Sequence, residues 1–234
     1  MVKEKEASKL RNSLGSKFKD IILGGQDGVV NVLGVVLAIA AATNESRVII
    51  IAGIAANLAE SLSMGAVAYT STKAYSRFYY SELAREEKEM KEVPHQEKKE
   101  VREIYYKKGF RGELLNKIVR KITSSKKIWL ETMMTDELKL SSEQLQNPLH
   151  SALLVGFSAL VGSTIPLVPF FFFSVKTGII LSLIFSTIAL FTTGAVNAKL
   201  TIGSWMKNGV EMAAIGMVTA IIGYGIGMLL GKAF

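Results

Sequence analysis

Cysteine is absent from the 234 residues of the sequence, and histidine and proline occur only two and four times. The absence of cysteine excludes a disulfide scaffold, a thiolate metal site and a cysteine nucleophile. His95 and His150 are single residues, so the chain has no set of ligands that would hold zinc strongly. The N-terminal segment is charged and lacks the apolar core of a signal peptide, so we expect no cleaved signal.

Charged residues are missing from five long stretches of the chain. Three stretches have no charge and two have a single acid: 28–44, 48–70 with Glu60, 151–175, 177–198 and 208–231 with Glu211. Each has about 20 residues, the length of α-helix that crosses a hydrocarbon core about 30 Å thick. The mean hydropathy of +0.30 fits a membrane protein or a rich soluble core, and the segregation of charge decides between them. We therefore predict an all-α integral membrane protein with five transmembrane helices.

Lysine and arginine are concentrated at one end of these spans. Six of the 28 precede the first span, 17 lie between Lys73 and Lys139, and only Arg47 separates spans one and two. Because basic segments remain on the cytosolic side, the N-terminus and the central segment are predicted to be cytosolic. The same distribution explains the net charge of +8 without nucleic acid, which we do not expect as a partner.

Three regions follow from this composition. Residues 1–72 should contain an N-terminal amphipathic helix and transmembrane helices 1 and 2. Residues 73–148 should form a cytosolic helical metal-binding domain inserted between spans two and three, and residues 149–234 should contain transmembrane helices 3–5. The amphipathic helix is predicted from Leu10, Leu14 and Phe18, whose spacing of four places an apolar face on the membrane surface.

Acidic residues follow an unfavourable pattern in the central segment. Glu86 and Glu89, and likewise Glu97 and Glu100, place two carboxylates three residues apart beside apolar groups. Like charges at this spacing oppose helix stability unless something positive binds them. Because Pro94 suits the first position of a helix, we expect a hairpin in which the two pairs face each other. The alternative is a merely solvated hairpin.

Two methionines indicate which metal such a site would take. Met133, Met134 and Glu137 are three and four residues apart, so a third helix can present them together. Thioether sulfur is a soft ligand from which Ca²⁺ and Mg²⁺ gain nothing. A mixed site of carboxylates and thioethers therefore favours Fe²⁺, Mn²⁺, Co²⁺ or Zn²⁺.

Polar residues also lie inside the first two spans. Asn57, Glu60 and Met64 share one face of the second span, and an ionised acid in hydrocarbon costs at least about 2.5 to 3.5 kcal/mol. Glu60 should therefore face protein, water or a cation. Asp27 lies about one turn inside the first span, and the short connection makes these spans antiparallel neighbours. We expect Met64 at the depth of Asp27, with Glu60 deeper; the alternative for Asp27 is a helix cap.

Several segments together resemble the vacuolar iron transporter family. They are QDGVVNVLGVVLAIAA from Gln26, AESLSMGAVAYTS from Ala59, the acid pattern of 86–100 and MMTDEL at 133–138. The resemblance covers nearly the whole chain, from about Phe18 to Gly231. It implies a homodimer of five-span protomers that carries Fe²⁺, and often Mn²⁺, out of the cytosol in exchange for protons. The membrane would be a prokaryotic plasma membrane or a vacuolar membrane.

The resemblance also implies roles for residues. Asp27 and Met64 would belong to the translocation path. The cytosolic acids and methionines would gather the ion before transfer: Glu86, Glu89, Glu97, Glu100, Met133, Met134 and Glu137. Many members have Gly-Glu-Tyr after the Ser-Met-Gly step, whereas this chain has Val67, Ala68 and Tyr69. We expect Glu60 to serve in place of the missing acid.

We therefore predict a transporter rather than an enzyme, with metal ions, protons and the bilayer as its partners. No cofactor is expected beyond the transported Fe²⁺ or other divalent transition metal. The alternative is a membrane-anchored sensor or storage module that binds metal without moving it. A di-iron ferroxidase is disfavoured because it normally uses Glu-x-x-His ligands, and this motif is absent from the sequence.

Overall fold

The computed structural model describes residues 2–201 and 203–233, and their side chains over 15–201 and 203–231. Within these ranges the regular structure is helical and contains no strand. The helices are α1 (Val2–Ala42), α2 (Ser46–Glu92), α3 (Pro94–Lys107), α4 (Gly112–Thr123), α5 (Lys126–Thr132), α6 (Pro148–Leu167), α7 (Pro169–Phe172), α8 (Val175–Leu200) and α9 (Trp205–Ala233). A π-helical turn, Met133–Glu137, follows α5, and a short 3-10 turn, Ser142–Gln144, precedes α6.

Five of the helices, α1, α2, α6, α8 and α9, are long and apolar enough to cross a membrane. The predicted all-α integral membrane protein with five transmembrane helices is thereby confirmed. Helix α2 has 47 residues, so it is about 70 Å long, more than twice the thickness of a hydrocarbon core. Its stretch with a single charge ends at Thr70, and we take this as the end of its membrane-spanning part.

The chain divides into two compact units. The membrane unit comprises Met1–Thr70 and Pro148–Phe234, and the helical unit comprises Ser71–Asn147. Helix α1 runs without a break from Val2, so the segment predicted as an N-terminal amphipathic helix is continuous with span one. Leu10 and Leu14, which define its apolar face, lie outside the described side chains.

Helix α1 packs against α6, α8 and α9 in the membrane unit. Small residues allow the closest approach: a Cβ on Gly24 would lie 2.2 Å from the carbonyl oxygen of Val155, and one on Gly162 would lie 2.2 Å from that of Gly25. Backbones pack this closely in membranes because van der Waals contact, rather than exclusion of water, holds the helices together. The core beyond this contact includes Phe170, which is buried with Val36 and Ile49.

Glycines spaced four apart on α9 contact small residues of α1. A Cβ on Gly223 would meet the backbone of Gly34, one on Gly227 that of Ala38, and one on Gly231 that of Ala42. These periodic glycines of the last span therefore form a packing stripe, in which small residues let two membrane helices approach closely.

Replacing Gly227 by leucine should lower the midpoint of thermal unfolding of the purified protein. A Cβ there would already lie 2.0 Å from the carbonyl oxygen of Ala38, and overpacking of this kind costs about 1–3 kcal/mol or more. Gly225→Leu on the same helix is the matched control, because nothing lies within 4 Å of its Cβ position. Equal midpoints for the two variants would contradict close packing of α1 and α9.

The helical unit is built on a hairpin of α2 and α3. Pro94 occupies the first turn of α3 after Val93, which confirms the predicted turn. Gly109 ends the hairpin's second arm with a φ of +99°, a left-handed conformation that suits glycine. Met90 of α2 and Val101 of α3 pack with residues of the following helices in one buried core, which also contains Ile122, Trp129 and Met133.

Candidate metal centres

The first candidate centre, the membrane carboxyl pair, consists of Asp27 on α1 and Glu60 on α2. The two helices run antiparallel: Val36 lies beside Gly53, and Asp27, which precedes Val36, lies beside Glu60, which follows Gly53. The Glu60 carboxyl lies beside the side chains of Asp27 and Asn31 and interacts with both. Two carboxylates this close repel each other unless a proton or a cation lies between them.

The residue of α2 that lies at the depth of Asp27 is not the one that the sequence predicts. Met64 is predicted at the depth of Asp27, but the structure places Glu60 there instead. Met64 follows Glu60 by one helical turn, about 6 Å along the axis of α2, and its side chain is half-buried. The spacing of residues on α2 could not show this, because it leaves the longitudinal register between two helices undetermined.

Asn57 lies on the same helix, but its side chain contacts α6 rather than the membrane carboxyl pair. Its side-chain amide donates to the Thr164 hydroxyl of α6 at 3.1 Å. The Ser61 hydroxyl donates to the carbonyl oxygen of Asn57 at 2.7 Å and lies 3.2 Å from its side-chain oxygen. Asn57 and Ser61 are both buried, and their polar groups are satisfied by protein. We therefore assign them to the packing of α2 against α6.

The second candidate centre, the acidic cluster, lies in the helical unit. It consists of Glu86, Glu89, Glu97, Glu100 and Glu137. Glu86 and Glu97 are only 2% and 3% exposed. The Oε2 atom of each is buried and has no hydrogen-bond partner among the described residues. Buried carboxylate oxygens without a donor are costly, so these two atoms need a proton or a cation.

Burial and mutual repulsion act together on the two buried acids. Burial raises the pKa of Glu86 from its ordinary value of 4.5 to about 7, with Glu137 adding to the rise and Arg85 opposing it. Burial likewise raises the pKa of Glu97 to about 7, with Glu100 as the largest contributor among the neighbouring charges. At neutral pH both carboxyls are therefore poised between the protonated and the charged form.

Glu137 lies at the edge of the cluster. Partial burial of its carboxyl raises its pKa, and Glu100 and Glu89 add to the rise while Arg85 opposes it. The side chain as a whole is exposed, so solvent screens much of this repulsion. Glu86 and Glu97 consequently dominate the electrostatics of the cluster.

Arg85 is a member of this region that sequence reasoning missed. Its guanidinium lies 2.7 Å from Glu82, 3.2 Å from Glu86 and 3.5 Å from Glu89. It thereby offsets part of the negative charge of the acidic cluster from a position that is 47% exposed. The positions of Glu82 and Glu89, three and four residues away on the same helix, were a signal that could have found it.

Met133 and Met134 are buried together on the π-helical turn, with exposures of 0% and 2%. The turn is closed by a hydrogen bond from the amide of Leu138 to the carbonyl oxygen of Met133 at 3.1 Å. The sequence predicts that a third helix carries Met133, Met134 and Glu137, and the structure corrects this, since α5 ends at Thr132 and the π-helical turn follows it. A π turn holds one more residue than an α turn, which changes the faces that consecutive side chains occupy.

The acidic cluster is not arranged as a preformed ligand set. Within the described parts of the chain, no group of three or more His, Asp or Glu side chains has the geometry to hold a metal ion. Glu86, Glu97 and Glu137 nevertheless share one electrostatic field, because the charges of Glu89 and Glu100 add to the rise in the pKa of each. His95 is exposed and is not among them. The assignment of these acids and methionines to metal binding remains a prediction.

Comparison with known proteins identifies the family. A profile of the VIT family matches residues 18–228. The chain is 30% identical to vacuolar iron transporter 1 of Tulipa gesneriana, over 88% of this chain and 84% of that protein. It is 28% identical to vacuolar iron transporter 1 of Arabidopsis thaliana, over 88% and 83%, and 28% identical to the vacuolar iron transporter of Plasmodium falciparum, over 91% and 82%. With five membrane-spanning helices and a family match over most of its length, the chain belongs to the VIT family.

Proposed function

We propose that this protein exports Fe²⁺ from the cytosol across a membrane in exchange for protons, and that Mn²⁺ is a second substrate. Relatives named vacuolar iron transporters support iron as the cargo. The observation that carries the proposal is the pair Asp27 and Glu60 inside two membrane-spanning helices. Acidic side chains at such depth are costly, and ion or proton transfer is their usual role.

In the proposed cycle, Fe²⁺ first binds the acidic cluster and displaces the protons held there. Because the pKa values of Glu86 and Glu97 are about 7, both carboxyls carry protons in part of the population at neutral pH. Metal and proton therefore compete for the same oxygens. Met133 and Met134 supply soft sulfur ligands that disfavour Ca²⁺ and Mg²⁺.

The ion next passes to Asp27 and Glu60, with Met64 one turn along α2. Protons returning from the opposite side would protonate this pair and release the metal. Competition between proton and metal for one carboxyl pair is sufficient to couple the two fluxes, because the pair cannot hold both with full affinity. Glu60 here takes the place of the acid that many members carry where this chain has Ala68.

A homodimer is part of the proposal. Exposed apolar side chains on the membrane-spanning part of α2 support it, notably Leu62 at 74% exposure, together with Ile51 and Leu58. Such a face must be covered by lipid or by a second protomer. We further propose cytosolic placement of the N-terminus and the helical unit, from the distribution of Lys and Arg. The membrane would be vacuolar or a prokaryotic plasma membrane.

The rival function is a membrane-anchored sensor or storage module. The acidic cluster alone would suit it, since binding there requires no path across the membrane. A membrane carboxyl pair has no role in such a module, and this favours transport. An enzyme is disfavoured by membership of a family whose curated relatives are named transporters.

An imposed pH gradient should drive Fe²⁺ accumulation in proteoliposomes that contain the purified protein, with Fe²⁺ kept reduced. Each proton exchanged per ion supports an accumulation ratio of about tenfold per pH unit, because 1.4 kcal/mol corresponds to a factor of ten. An ionophore that collapses the gradient is the control. Accumulation that is indifferent to the gradient would refute antiport, and a panel of Mn²⁺, Co²⁺ and Zn²⁺ would rank the substrates.

A further inference from the structure

Two adjoining cavities lie in the membrane unit between α1 and α8, and one of them also borders α6. One has a volume of about 480 Å³ and is lined by residues of the first part of α1 and the end of α8. The other has a volume of about 530 Å³ and lies between α1, α6 and the preceding part of α8. Both are lined by Phe18 and Ile22, so together they form one continuous groove.

The groove changes in polarity along its length. The lining of the first cavity includes Lys19, Gln26, Asn197 and Thr201. Lys199 belongs to the last turn of α8 and adds a second positive charge to this end of the unit. Asp20, the acid next to Lys19, accepts a hydrogen bond from the Ser151 hydroxyl at 2.7 Å. One end of the groove can therefore contact a negatively charged group through a lysine and neutral hydrogen-bonding side chains.

The other end of the groove is apolar. Val29, Phe157 and Val161 are typical of its lining. Its two threonines do not make it polar, because the hydroxyls of Thr192 and Thr193 donate to the carbonyl oxygens of Ile188 and Ala189 at 2.7 and 2.9 Å. The hydroxyls are thereby satisfied within α8. A cavity of this kind suits a hydrocarbon chain rather than water.

The length of the groove matches one leaflet of a bilayer. From Phe18 to Val29, α1 rises about 16 Å, roughly half of a hydrocarbon core about 30 Å thick. Helix α8 separates the two cavities in depth: the polar cavity lies at the end of the helix, against Asn197 and Leu200, and the apolar cavity lies further along the span, from Ala189 to Val196. The positions of charge, hydrogen-bonding groups and apolar surface therefore follow those of headgroup, glycerol and acyl chain.

We propose that this groove binds a glycerophospholipid with a net negative headgroup, which contacts Lys19 while one acyl chain lies between α1, α6 and α8. An anionic lipid is favoured over a zwitterionic one because a lysine near the membrane surface attracts net negative charge. This site is distinct from Asp27 and Glu60 and does not depend on the transport proposal.

The test uses the full chain in detergent, incubated with equal amounts of phosphatidylglycerol and phosphatidylcholine and then washed. Retained lipid is quantified by mass spectrometry. The protein should retain phosphatidylglycerol over phosphatidylcholine by about fivefold, the preference that one lysine near an anionic headgroup supplies. Lys19→Gln should remove this preference. Lys17→Gln, with the same change in net charge beside the groove, should preserve it.

Ala189→Phe should block the apolar end and lower the retention of both lipids. Ile188→Phe is its matched control, because Ile188 is exposed and does not line the groove. Val161→Phe blocks the groove from α6 and replaces Ala189→Phe if that variant does not fold. Equal lipid retention by Ala189→Phe and Ile188→Phe would show that the groove is not a lipid site. A change of oligomeric state in Ala189→Phe would also contradict the proposal, because it would identify a second protein copy as the occupant of the groove. Equal binding of the two lipids by the unmodified protein would contradict the proposed preference for an anionic headgroup.

Discussion

Asp27→Ala is expected to abolish Fe²⁺ flux in proteoliposomes while leaving metal binding to the helical unit intact. Asp27 lies beside Glu60, and alanine would leave Glu60 without the second carboxyl needed to hold a divalent cation. Loss of a supporting partner at a metal site already lowers affinity or activity by about 10- to 100-fold. We therefore expect a fall in initial rate of at least about tenfold, measured by a fluorescent metal indicator inside the vesicles.

Glu211→Ala is the matched control for this variant. Glu211 is the single acid in the charge-poor stretch of α9 and is exposed, so its loss should leave flux within a factor of about two, as for an exposed charge. Flux retained by Asp27→Ala would exclude the membrane carboxyl pair from the path. Unchanged metal binding with no flux in either the variant or the unmodified protein would instead support the sensor or storage module.

The architecture of the membrane unit could be predicted from the sequence because the bilayer imposes a strict rule on it. A helix that crosses hydrocarbon must carry about 20 residues almost without charge, and a stretch such as 177–198 satisfies this rule unambiguously. The hairpin of the helical unit was equally accessible, because Pro94 can begin a helix but cannot continue one. Each of these predictions needs only the residues of one segment and no knowledge of how segments pack together.

Features that depend on the register between elements could not be predicted in this way. The pairing of Asp27 with Glu60, rather than with Met64, depends on how far α1 and α2 slide along each other. That distance is set by close contacts such as Val36 with Gly53. The π turn at Met133–Glu137 is similar, since it begins at Met133, which packs against residues of the preceding helices in the core of the helical unit. The register of α1 against α2 and the position of the π turn can be seen only in the three-dimensional structure.

The buried acids of the helical unit lead to the second large expected effect. At pH 6, a carboxyl whose pKa is about 7 is about 90% protonated, so metal binding must displace protons from Glu86 and Glu97. Affinity should fall about 100-fold from pH 8 to pH 6, tenfold for each proton displaced. Calorimetry of the full chain with Mn²⁺ in buffers of different ionisation enthalpy measures both the affinity and the protons released.

Glu86→Gln combined with Glu97→Gln should weaken binding at pH 8 and reduce the proton release at pH 6. Glu103→Gln combined with Glu113→Gln removes the same charge from exposed positions and should leave both quantities unchanged. Unaltered affinity in the first pair would exclude the acidic cluster as a metal site. Reduced affinity with undiminished proton release would show that other groups hold the displaced protons.

The same double variant should unfold at a higher temperature than the unmodified protein when metal is absent and the pH is 8. The native pKa of each buried acid, about 7, exceeds the ordinary value of 4.5, so the folded state binds more protons than the unfolded state between these pH values. Stability therefore falls as the pH rises through this window and stays low above it. Glutamine fills the same space without charge. The substitution therefore removes the loss of folding stability at pH 8 but changes stability little at pH 4. A variant that binds metal less well yet folds more stably would show that the acids are retained for binding rather than for folding.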